Sequence, residues 1–589
     1  MYLYNLKLWN FRKYGSNGDL DLDKPDLDIC FNKGLNLVIG ENDSGKTGII
    51  DAIKIVLKTS SYDWIRIVDN DFYKSSDELR IELKFRGLSE EEAKNFVEFL
   101  SREEFSDEFE PILNVIYRVY KKDGKILPSD VRAGSDKIGK VLPAEAREFL
   151  KVTYLKPLRD VQSELIPKRN SRLSQIFQGH EAFKGVDEHL LLKIYESFNK
   201  SIRLYFEGKD NNGKTLIPDQ NGKILKNNID KTIKGFFNKD SESIIDTTKA
   251  EIKKILESLE LSLNGINNPG LGSLNRLFMA SELIHLNKQD WTGLRLGLIE
   301  EIEAHLHPQV QLKVIKNLIK QKNTQLILTS HSPNLASKVP LENQIICRNN
   351  FAYALSSKFT NLDKRNYVFL EKFLDVTKSN LLFAKGLILV EGWSEELIIP
   401  VIADKIGYNL VDNEVSIINV GNLGFSNYYK IFSRKDNRKM GIHISVITDC
   451  DMPAYQEDIN NSKKVYTKIN NDIYKLNCQE AVIQKQNNYE EPAKLFIAKE
   501  WTLEWCLMKS IVIGETFRRI TKNVHNKSNW TDFENQLAEK LLKKSLKKSE
   551  IAFRLATAIE KNDISINLNQ LESDDTMKHI VEAIIYASK

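Results

Sequence analysis

The stretch GLNLVIGENDSGKTGIIDAIKIVL, residues 34–57, decides the fold. Its beginning, residues 34–40, is an apolar run typical of a buried strand, and its end, residues 46–57, repeats apolar side chains at a helical period. Between them, GENDSGKT at residues 40–47 matches G-x-x-x-x-G-K-[ST] in the strand-to-helix setting that this pattern requires. The stretch therefore predicts an α/β domain with a nucleotide site, and the flanking strand and helix argue against a chance glycine-rich loop.

Five positions of this loop have predicted roles in binding ATP. We expect the Lys46 ammonium to reach the β- and γ-phosphates and the Thr47 hydroxyl to bind Mg²⁺. Gly40, Asn42 and Gly45 complete the predicted cradle, in which backbone N–H groups and the helix N-terminus bind phosphate oxygens.

Two later strands are predicted to end in polar side chains beside this loop. LRLGLIEEIEAHLHP, residues 294–308, ends its apolar run in Glu300 and Glu301, and QLILTSHSPNLA, residues 325–336, ends its run at His331. We expect Glu300 to hold Mg²⁺ and Glu301 to polarise the attacking water, since neighbouring strand residues point in opposite directions. His331 is expected to hydrogen-bond the γ-phosphate. Each motif alone also fits a solvated strand end.

In this order, GENDSGKT, LIEEIEAHLHP and LTSHSP resemble the ABC-type ATPase heads of the RecF/SMC-like class. The resemblance implies that ATP lies between two heads, and hence a homodimer or higher homo-oligomer. It also implies that a Gly/Ser-rich signature from the second head completes the site. NPGLGSLNRLFMASEL, residues 268–283, lies where that signature belongs but departs from its LSGGQ form. Its candidate residues are Gly272, Ser273 and Asn275.

A second pair of predicted strand ends carries four carboxylates. LILVEGWSEEL, residues 387–397, and HISVITDCDM, residues 443–452, each end an apolar run in acidic side chains. The carboxyl ends of parallel strands meet at one edge of a sheet, so these acids are expected to lie close together. Such a cluster is strongly repulsive unless a divalent cation binds, and all-oxygen ligands favour Mg²⁺ or Mn²⁺. The candidate ligands are Glu391, Glu395, Asp449 and Asp451.

A strand ending in E-G and another ending in D-x-D resemble a TOPRIM domain. An ABC-type head followed by a TOPRIM domain resembles the OLD (overcoming lysogenisation defect) family of nucleases, and YLKPLRDVQSEL, residues 154–165, also resembles a segment of such heads. The resemblance implies an ATP-regulated, Mg²⁺- or Mn²⁺-dependent DNA endonuclease, often in antiphage defence. Some members of the family work alone, others with a helicase, and others with a reverse transcriptase of a retron.

The same resemblance extends to two later segments. WTLEWCL, residues 501–507, makes Glu504 a candidate metal ligand, and KKSEIAFRLA, residues 547–556, makes Lys548 the candidate lysine near the scissile phosphate. The family more often has Gly where Ser549 stands, so Lys544 and Lys547 remain competitors. Candidates for contacts to the DNA backbone are Arg159, Lys168, Arg169, Arg172 and the lysines within residues 543–548.

The predicted reaction is phosphodiester hydrolysis, with two cations about 3.5–4 Å apart and a lysine that offsets charge on the phosphate. One alternative is a topoisomerase or primase, which needs a nucleophilic Tyr on an added domain or a Cys-rich zinc module. Another is an SMC/RecF-like DNA-binding repair ATPase without cleavage activity, which needs long heptad runs that this sequence lacks.

Length and composition predict several domains in an ordinary globular chain. The 589 residues exceed one core, and the net charge of +4 requires local basic patches for DNA binding. Five scattered cysteines argue against a disulfide framework or zinc site. No signal peptide or membrane-length apolar run is present, so a cytoplasmic protein without a membrane partner is expected. The expected fold class is α/β, with an ATPase head in two lobes (1–165 and 263–380), an inserted helical dimerisation region (166–262), a TOPRIM domain (381–510) and a helical C-terminal extension (511–589).

Overall fold

A computed structural model describes most of the chain. The residues outside the description are 17–19, 60–65, 106–107, 157–164, 184–188, 217–218, 235, 238–241, 247–248, 250, 267–268, 288–290, 422–423, 461–462, 488 and 527–528. Among the helices that are described, none combines the length and the apolar character needed to cross a bilayer.

The described strands form four sheets. In chain order the strands are β1 (Tyr2–Trp9), β2 (Leu27–Cys30), β3 (Leu35–Ile39), β4 (Glu78–Arg86), β5 (Leu100–Phe105), β6 (Glu108–Lys122), β7 (Lys125–Ile126), β8 (Val131–Ala133), β9 (Lys140–Val141), β10 (Thr153–Leu155), β11 (Leu296–Ile299), β12 (Gln325–Ser330), β13 (Gln344–Arg348), β14 (Phe351–Ala354), β15 (Gly386–Val390), β16 (Val415–Asn419), β17 (His443–Thr448), β18 (Tyr455–Asn460), β19 (Lys463–Lys468) and β20 (Ala493–Ile497).

The described helices lie mostly between these strands and after the last one. They are α1 (Lys46–Leu57), α2 (Glu90–Lys94), α3 (Ala144–Glu148), α4 (Arg172–Gln178), α5 (Leu190–Phe206), α6 (Asn221–Ile233), α7 (Ile252–Glu257), α8 (Leu271–Leu286), α9 (Pro308–Ile319), α10 (Pro333–Ala336), α11 (Lys364–Phe373), α12 (Trp393–Lys405), α13 (Ser426–Tyr429), α14 (Asn471–Gln486), α15 (Leu503–Lys509), α16 (Gly514–Val524), α17 (Phe533–Leu542), α18 (Lys548–Glu560), α19 (Leu568–Glu572) and α20 (Lys578–Ala587).

Strands β1 to β10 contribute to two sheets, one of which is an antiparallel sheet that the α/β pattern at residues 34–57 did not predict. The first sheet is antiparallel with the order β2-β1-β4-β6-β8-β9, and β5 and β7 also pair with β6. The second sheet has the order β10-β11-β12-β3-β13-β14 and is parallel except for β14. Strand β3 is buried at all five positions, as a central parallel strand must be, while β1 and β4 retain partly exposed positions.

The order of the second sheet brings the predicted nucleotide motifs to one edge. Strand β3 pairs with β12, which pairs with β11, so the loop after Ile39 lies beside the ends of β11 and β12 at Ile299 and Ser330. Helix α1 begins at Lys46 and buries Ile49, Ile50 and Ile53 against the first sheet. The β-strand and helix predicted on either side of GENDSGKT are therefore present at the predicted positions.

The inserted region is helical in its described part, with one helix shorter than its pattern suggested. The sequence ESIIDTTKAEIKKILESLEL at residues 242–261, within the predicted helical region, is charged and amphipathic with a helical period, but the described helix there, α7, covers only Ile252–Glu257. In the described part of this segment residues 242–246 are not helical, and the β-branched side chains of Ile244 and Ile245 lower helix propensity there.

Arg172 is a structural residue, and its predicted contact to DNA is wrong. Its guanidinium is buried and donates to both carboxylate oxygens of Glu282, from Nε at 2.6 Å and from Nη2 at 2.8 Å. This bidentate pair joins α4 to α8 and leaves the guanidinium inaccessible to a phosphate. Lys168 and Arg169 are exposed, and Arg159 lies outside the described residues.

The third sheet is parallel, with the order β16-β15-β17-β20, and the C-terminal helices pack on it. The Ser445 hydroxyl in β17 donates to the carbonyl oxygen of Ala583 in α20 at 2.7 Å. At the start of β15, a Cβ on Gly386 would lie 1.9 Å from the carbonyl oxygen of Ala587, so this close approach requires glycine. The chain after residue 511 is therefore part of the same folded unit as the third sheet.

The second and third sheets share one apolar core. Leu37 and Leu328 of the second sheet belong to the same buried cluster as Leu389 and Ile444 of the third. Arg348, at the end of β13, donates to the carbonyl oxygens of Ala384 (2.6 Å) and Lys385 (2.9 Å), immediately before β15. The two parts of the chain that carry the predicted motifs are thus packed directly against each other.

Candidate functional site

The glycine-rich loop forms one wall of a cavity of about 510 Å³ at the edge of the second sheet. Gly40 (φ 152°) and Gly45 (φ 106°) adopt conformations that L side chains rarely allow, and a Cβ on Gly45 would lie 2.2 Å from the Tyr14 hydroxyl. The cavity is lined by Asn42, Lys46, Thr47, Glu301 and His331, together with Arg12, Lys13, Asp43, Gly45, Gly48 and Thr329. The structure therefore gathers most of the predicted nucleotide-binding residues around one space.

Lys46 points into its own loop, where backbone carbonyl groups accept its protons. Its Nζ donates to the carbonyl oxygens of Gly40 (2.9 Å) and Glu41 (2.5 Å) and lies 3.3 Å from the Ser44 hydroxyl. Burial lowers the pKa of Lys46, and neighbouring acids, including Glu303 and Glu301, oppose that shift. A phosphate group would supply the negative charge that this buried ammonium group favours, so the loop fits a nucleotide.

The two consecutive glutamates after β11 lie in different environments, as their predicted division of roles requires. Glu300 is buried and accepts a hydrogen bond from the Tyr154 hydroxyl at 2.7 Å. Burial raises the pKa of Glu300, and hydrogen bonds from Tyr154 and Thr47 oppose that shift. Glu301 is exposed to the cavity, and its backbone N–H donates to the Thr329 hydroxyl at 3.0 Å.

His331 contacts the glycine-rich loop directly. Its Nδ1 lies 2.9 Å from the carbonyl oxygen of Gly40, and its backbone N–H donates to Oε1 of Glu303 at 2.5 Å. Sequence reasoning did not single out Glu303, although it stands two residues after Glu301 in the same quoted motif. Its carboxylate fixes the turn that places His331 beside the loop.

The segment proposed as a signature begins α8 and packs against the loop that follows β11. A Cβ on Gly272 would lie 2.6 Å from the carbonyl oxygen of His305, and Asn275 Nδ2 donates to the carbonyl oxygen of Ala304 at 3.0 Å. The Ser273 hydroxyl accepts from Nη2 of Arg276 at 3.0 Å. These are contacts within one chain, and the expectation that Ser273 faces a nucleotide on a second head stays a prediction.

The acidic cluster forms at the carboxyl edge of the third sheet. Strands β15 and β17 are parallel neighbours with Leu389 opposite Val446, and the Thr448 hydroxyl donates to Oε1 of Glu391. Asp449 follows Thr448 and accepts a hydrogen bond at Oδ1 from the Leu503 backbone N–H at 2.7 Å. The predicted pairing of the two strand ends is therefore present, and the N-terminus of α15 closes the cluster.

The other three predicted acids approach this edge from adjoining helices and turns. Glu395 lies in the first turn of α12, and buried Glu504 lies in the first turn of α15 and accepts from the Ser394 hydroxyl at 3.3 Å. Asp451 has a left-handed backbone conformation (φ 63°), which turns the chain directly after Asp449.

The cluster strongly disfavours full ionisation of its carboxyl groups. Burial, followed by the charges of Glu504, Glu395 and Glu391, raises the pKa of Asp449 well above its ordinary value. Burial and the charges of Glu504 and Glu391 raise the pKa of Glu395 to about 7, although Lys548 opposes the shift. A divalent cation would relieve both the repulsion and the cost of burying charge.

Of the three competing lysines, only Lys548 contacts the predicted metal ligands in the described structure. Its Nζ lies 2.8 Å from Oε2 of Glu504. Lys547 pairs instead with Glu550 at 3.5 Å, and Lys544 lies in a turn with φ 51°. Lys548 begins α18, and this geometry favours it over both neighbours.

Lys485 is a second cation at the cluster and was not anticipated. Its Nζ donates to Oδ2 of Asp451 at 2.5 Å and to the backbone carbonyl oxygen of Asp449 at 2.7 Å. It lies near the end of α14, far from every quoted motif, so no local pattern could identify it. Only the packing of α14 beside the end of β17 brings it to the acids.

The chemistry of the donor set fits a hard divalent cation, because all five predicted ligands are carboxylates. Within the part of the chain that the structure describes, however, no three such side chains are already close enough together to hold a metal ion. Two lysines compensate part of the negative charge in this arrangement. The assignment of Glu391, Glu395, Asp449, Asp451 and Glu504 as ligands stays a prediction.

Two family models match the chain in the order of these two sites. A model described as "AAA ATPase domain" matches residues 1–336, and one described as "Overcoming lysogenization defect protein-like, TOPRIM domain" matches residues 382–451. These matches confirm the prediction of an ATPase head followed by a TOPRIM domain.

Similarity to curated proteins extends over most of the chain. The chain is 23% identical over 555 residues to "Endonuclease GajA" of Bacillus cereus (strain HuB5-5), and the match covers 79% of this chain and 79% of that protein. Identity to the protein of the same name from Bacillus cereus (strain VD045) is 23% over 487 residues, covering 76% and 75%. Identity to "Retron Vc95 probable ATPase" of Vibrio cholerae serotype O1 biovar El Tor is 24% over 449 residues, covering 67% and 83%.

Proposed function

We propose, because the chain belongs to the AAA ATPase domain family and joins that domain to an overcoming-lysogenization-defect-like TOPRIM domain, that it is an ATPase and a divalent-metal-dependent DNA endonuclease in one polypeptide. One observation carries the nuclease part of this proposal. The ends of β15 and β17 bring Glu391 and Asp449 to one sheet edge, where burial and mutual repulsion raise the pKa of Asp449.

The ATPase site would use the residues around the glycine-rich loop. Gly40, Asn42, Gly45 and Lys46 would bind the phosphates of ATP, and Thr47 and Glu300 would hold Mg²⁺. Glu301 faces the cavity and would accept a proton from the attacking water. His331, fixed against the Gly40 carbonyl oxygen, would contact the γ-phosphate.

The nuclease site would use the acidic cluster and its lysines. Glu391, Glu395, Asp449, Asp451 and Glu504 would hold one or two Mg²⁺ or Mn²⁺ ions. A bound cation of this type lowers the pKa of a coordinated water and offsets charge on the scissile phosphate. Lys548, beside Glu504, would contact the same phosphate and stabilise its developing negative charge.

The biological setting belongs to the same proposal. Proteins named "Endonuclease GajA" and "Retron Vc95 probable ATPase" are among the relatives, which supports a role in antiphage defence with DNA as substrate. A reverse transcriptase with its nucleic acid, or a helicase, is the expected partner. We also propose that two copies associate through the helical region 166–262 and that each Ser273 completes the nucleotide site of the other copy.

Plasmid cleavage by purified variants tests the proposal. We expect Glu391→Ala and Asp449→Ala to abolish Mg²⁺- or Mn²⁺-dependent nicking while binding ATP normally, and Glu480→Gln, an exposed acid on α14, to cleave as the unmodified protein does. Lys46→Ala is expected to lose nucleotide affinity. Full nicking by either cluster variant would refute the nuclease assignment.

A further inference from the structure

A cavity of about 330 Å³ lies beside the acidic cluster, at the carboxyl end of β16. Strand β16 pairs with β15 on the side opposite β17, with Asn419 directly across from Val390. Neighbouring strands lie about 4.8 Å apart, so β16 is roughly 10 Å from β17, where the second pair of predicted ligands begins. A nucleotide adjacent to the scissile phosphate would span a distance of about this length.

An exposed tryptophan forms one wall of this cavity. Trp393 begins α12, two residues after Glu391, and 65% of its surface is exposed. In contrast, Trp9, Trp501 and Trp505 are buried in the cores. An exposed tryptophan at the wall of a cavity offers a large, rigid face on which a flat ring can stack.

Asn419 of β16 and Glu396 of α12 give the cavity a polar edge of fixed orientation, beside apolar residues of the same strand. Asn419 Nδ2 donates to Oε2 of Glu396 at 2.9 Å, and the Gly421 backbone N–H donates to Asn419 Oδ1 at 2.9 Å. An amide nitrogen has two protons and an amide oxygen accepts two hydrogen bonds, so Asn419 retains capacity for a ligand. An amide and a carboxylate held in this way match the hydrogen-bonding edge of a nucleobase.

The charge of the cavity favours a base over a phosphate. Glu396 and Asp375 both line it, and the lysine that lines it, Lys378, is paired with Asp375 at 3.0 Å. Because Lys378 and Asp375 neutralise each other, Glu396 leaves the cavity with a net negative charge, which would repel a phosphate group. A neutral ring carrying N–H donors meets no such repulsion.

We propose that this cavity is a base-binding subsite, in which one unpaired nucleobase next to the scissile phosphate stacks on Trp393 and is bound by Asn419 and Glu396. The inference rests on the proposed nuclease function and adds a substrate class to it. A base enters such a site only after leaving the duplex stack, so DNA that is single-stranded or easily opened at the cut is favoured.

Binding of short single-stranded DNA to the full chain tests the subsite. The measurement is made in a Glu391→Gln background, which prevents cleavage, and uses fluorescence anisotropy with a labelled oligonucleotide. We expect Trp393→Ala to weaken binding about ten-fold, the scale of losing one stacked base, and Trp393→Phe to retain most of the affinity. Phe109→Ala removes an aromatic ring of similar exposure (68%) from β6 and is expected to have no effect.

An abasic scan of the same oligonucleotide identifies the bound base. Removing the base at one position is expected to weaken binding as much as Trp393→Ala does, with no further loss when both changes are combined. Unchanged binding by Trp393→Ala, or additive losses at every position, would overturn the subsite. Absence of metal-dependent cleavage by the unmodified chain would instead overturn the proposed function, whatever the binding result.

Discussion

Single residues determine how charge is balanced at the acidic cluster. Lys548 pairs with Glu504 and Lys485 pairs with Asp451, and the two lysines belong to different helices, α18 and α14. Each ammonium group offsets part of the negative charge on these carboxylates, as a bound metal cation would. Because Lys485 contacts a predicted ligand without being one, its charge competes with the ion that the ligand is expected to hold.

Lys485→Met is expected to strengthen Mn²⁺ binding by up to about five-fold, since a partly exposed ion pair contributes about 0.2–1 kcal/mol. Electron paramagnetic resonance of free Mn²⁺ measures this affinity independently of cleavage. Lys485→Arg keeps the positive charge and is expected to bind Mn²⁺ like the unmodified protein. Weaker binding by the Met variant would mean that Lys485 organises the cluster and does not compete with the ion.

Glu301→Gln is expected to lower the turnover of ATP by about 100-fold or more while ATP still binds, because it removes the group that we propose accepts a proton from the attacking water. Steady-state hydrolysis and equilibrium binding of a labelled nucleotide measure the two effects separately. Glu90→Gln, an exposed acid in α2, is the control. An unchanged turnover number in the Glu301 variant would exclude this residue as the base.

Elements show what a linear sequence can and cannot predict. The strands and helices next to the motifs were predictable because each has a local apolar pattern, as in the fully buried run of β15 before Glu391. The central place of β3 and the antiparallel sheet around β4 were not, because strand partners are distant in the chain. Lys485 was missed and Arg172 was misassigned for the same reason: their contacts come from helices packed far along the chain.

Helix α20 carries a buried histidine, which is expected to make the fold around the third sheet sensitive to acid. Burial lowers the pKa of His579 to about 4, below the value near 6.5 of an unfolded chain. Below pH 6.5 the imidazole therefore binds a proton in the unfolded state but not in the folded state. The free energy of unfolding consequently decreases as the pH falls toward 4. The full effect is about 3 kcal/mol by linkage.

His579→Gln is expected to remove this part of the pH dependence. Unfolding by urea at pH 7.5 and at pH 5 measures it, and the unmodified protein should lose more stability between the two than the variant does. His307→Gln, at an exposed position before α9, is expected to leave the pH dependence unchanged. Equal losses in the unmodified protein and the His579 variant would show that the buried imidazole is not responsible.

At the scale of the whole molecule, the two sites are joined by a short chain of contacts. A Cβ on Gly40 would lie 2.5 Å from the carbonyl oxygen of Cys347, and the next residue, Arg348, binds the carbonyl oxygens that precede β15. Strand β15 ends at Glu391. A cavity of about 610 Å³, lined by the glycine-rich loop and by residues including His443 and Lys589, lies at the same junction.

Arg348→Ala is expected to uncouple cleavage from ATP. The ratio of cleavage rates with and without ATP should approach one, whichever direction ATP acts in the unmodified protein, while ATP binding and metal-dependent cleavage both persist. Arg365→Ala, an exposed arginine on α11, should preserve the ratio. A ratio in the Arg348 variant equal to that of the unmodified protein would exclude this contact as the connection.

The proposed nuclease site depends on one metal ion shared between the ends of β15 and β17. Crystals of the full chain grown with Mn²⁺ would locate it directly by anomalous scattering. We predict a peak within about 2.0–2.2 Å of carboxylate oxygens from both Glu391 and Asp449. Peaks elsewhere at full occupancy, with none between these two side chains, would contradict the existence of a cleavage centre at this edge of the sheet.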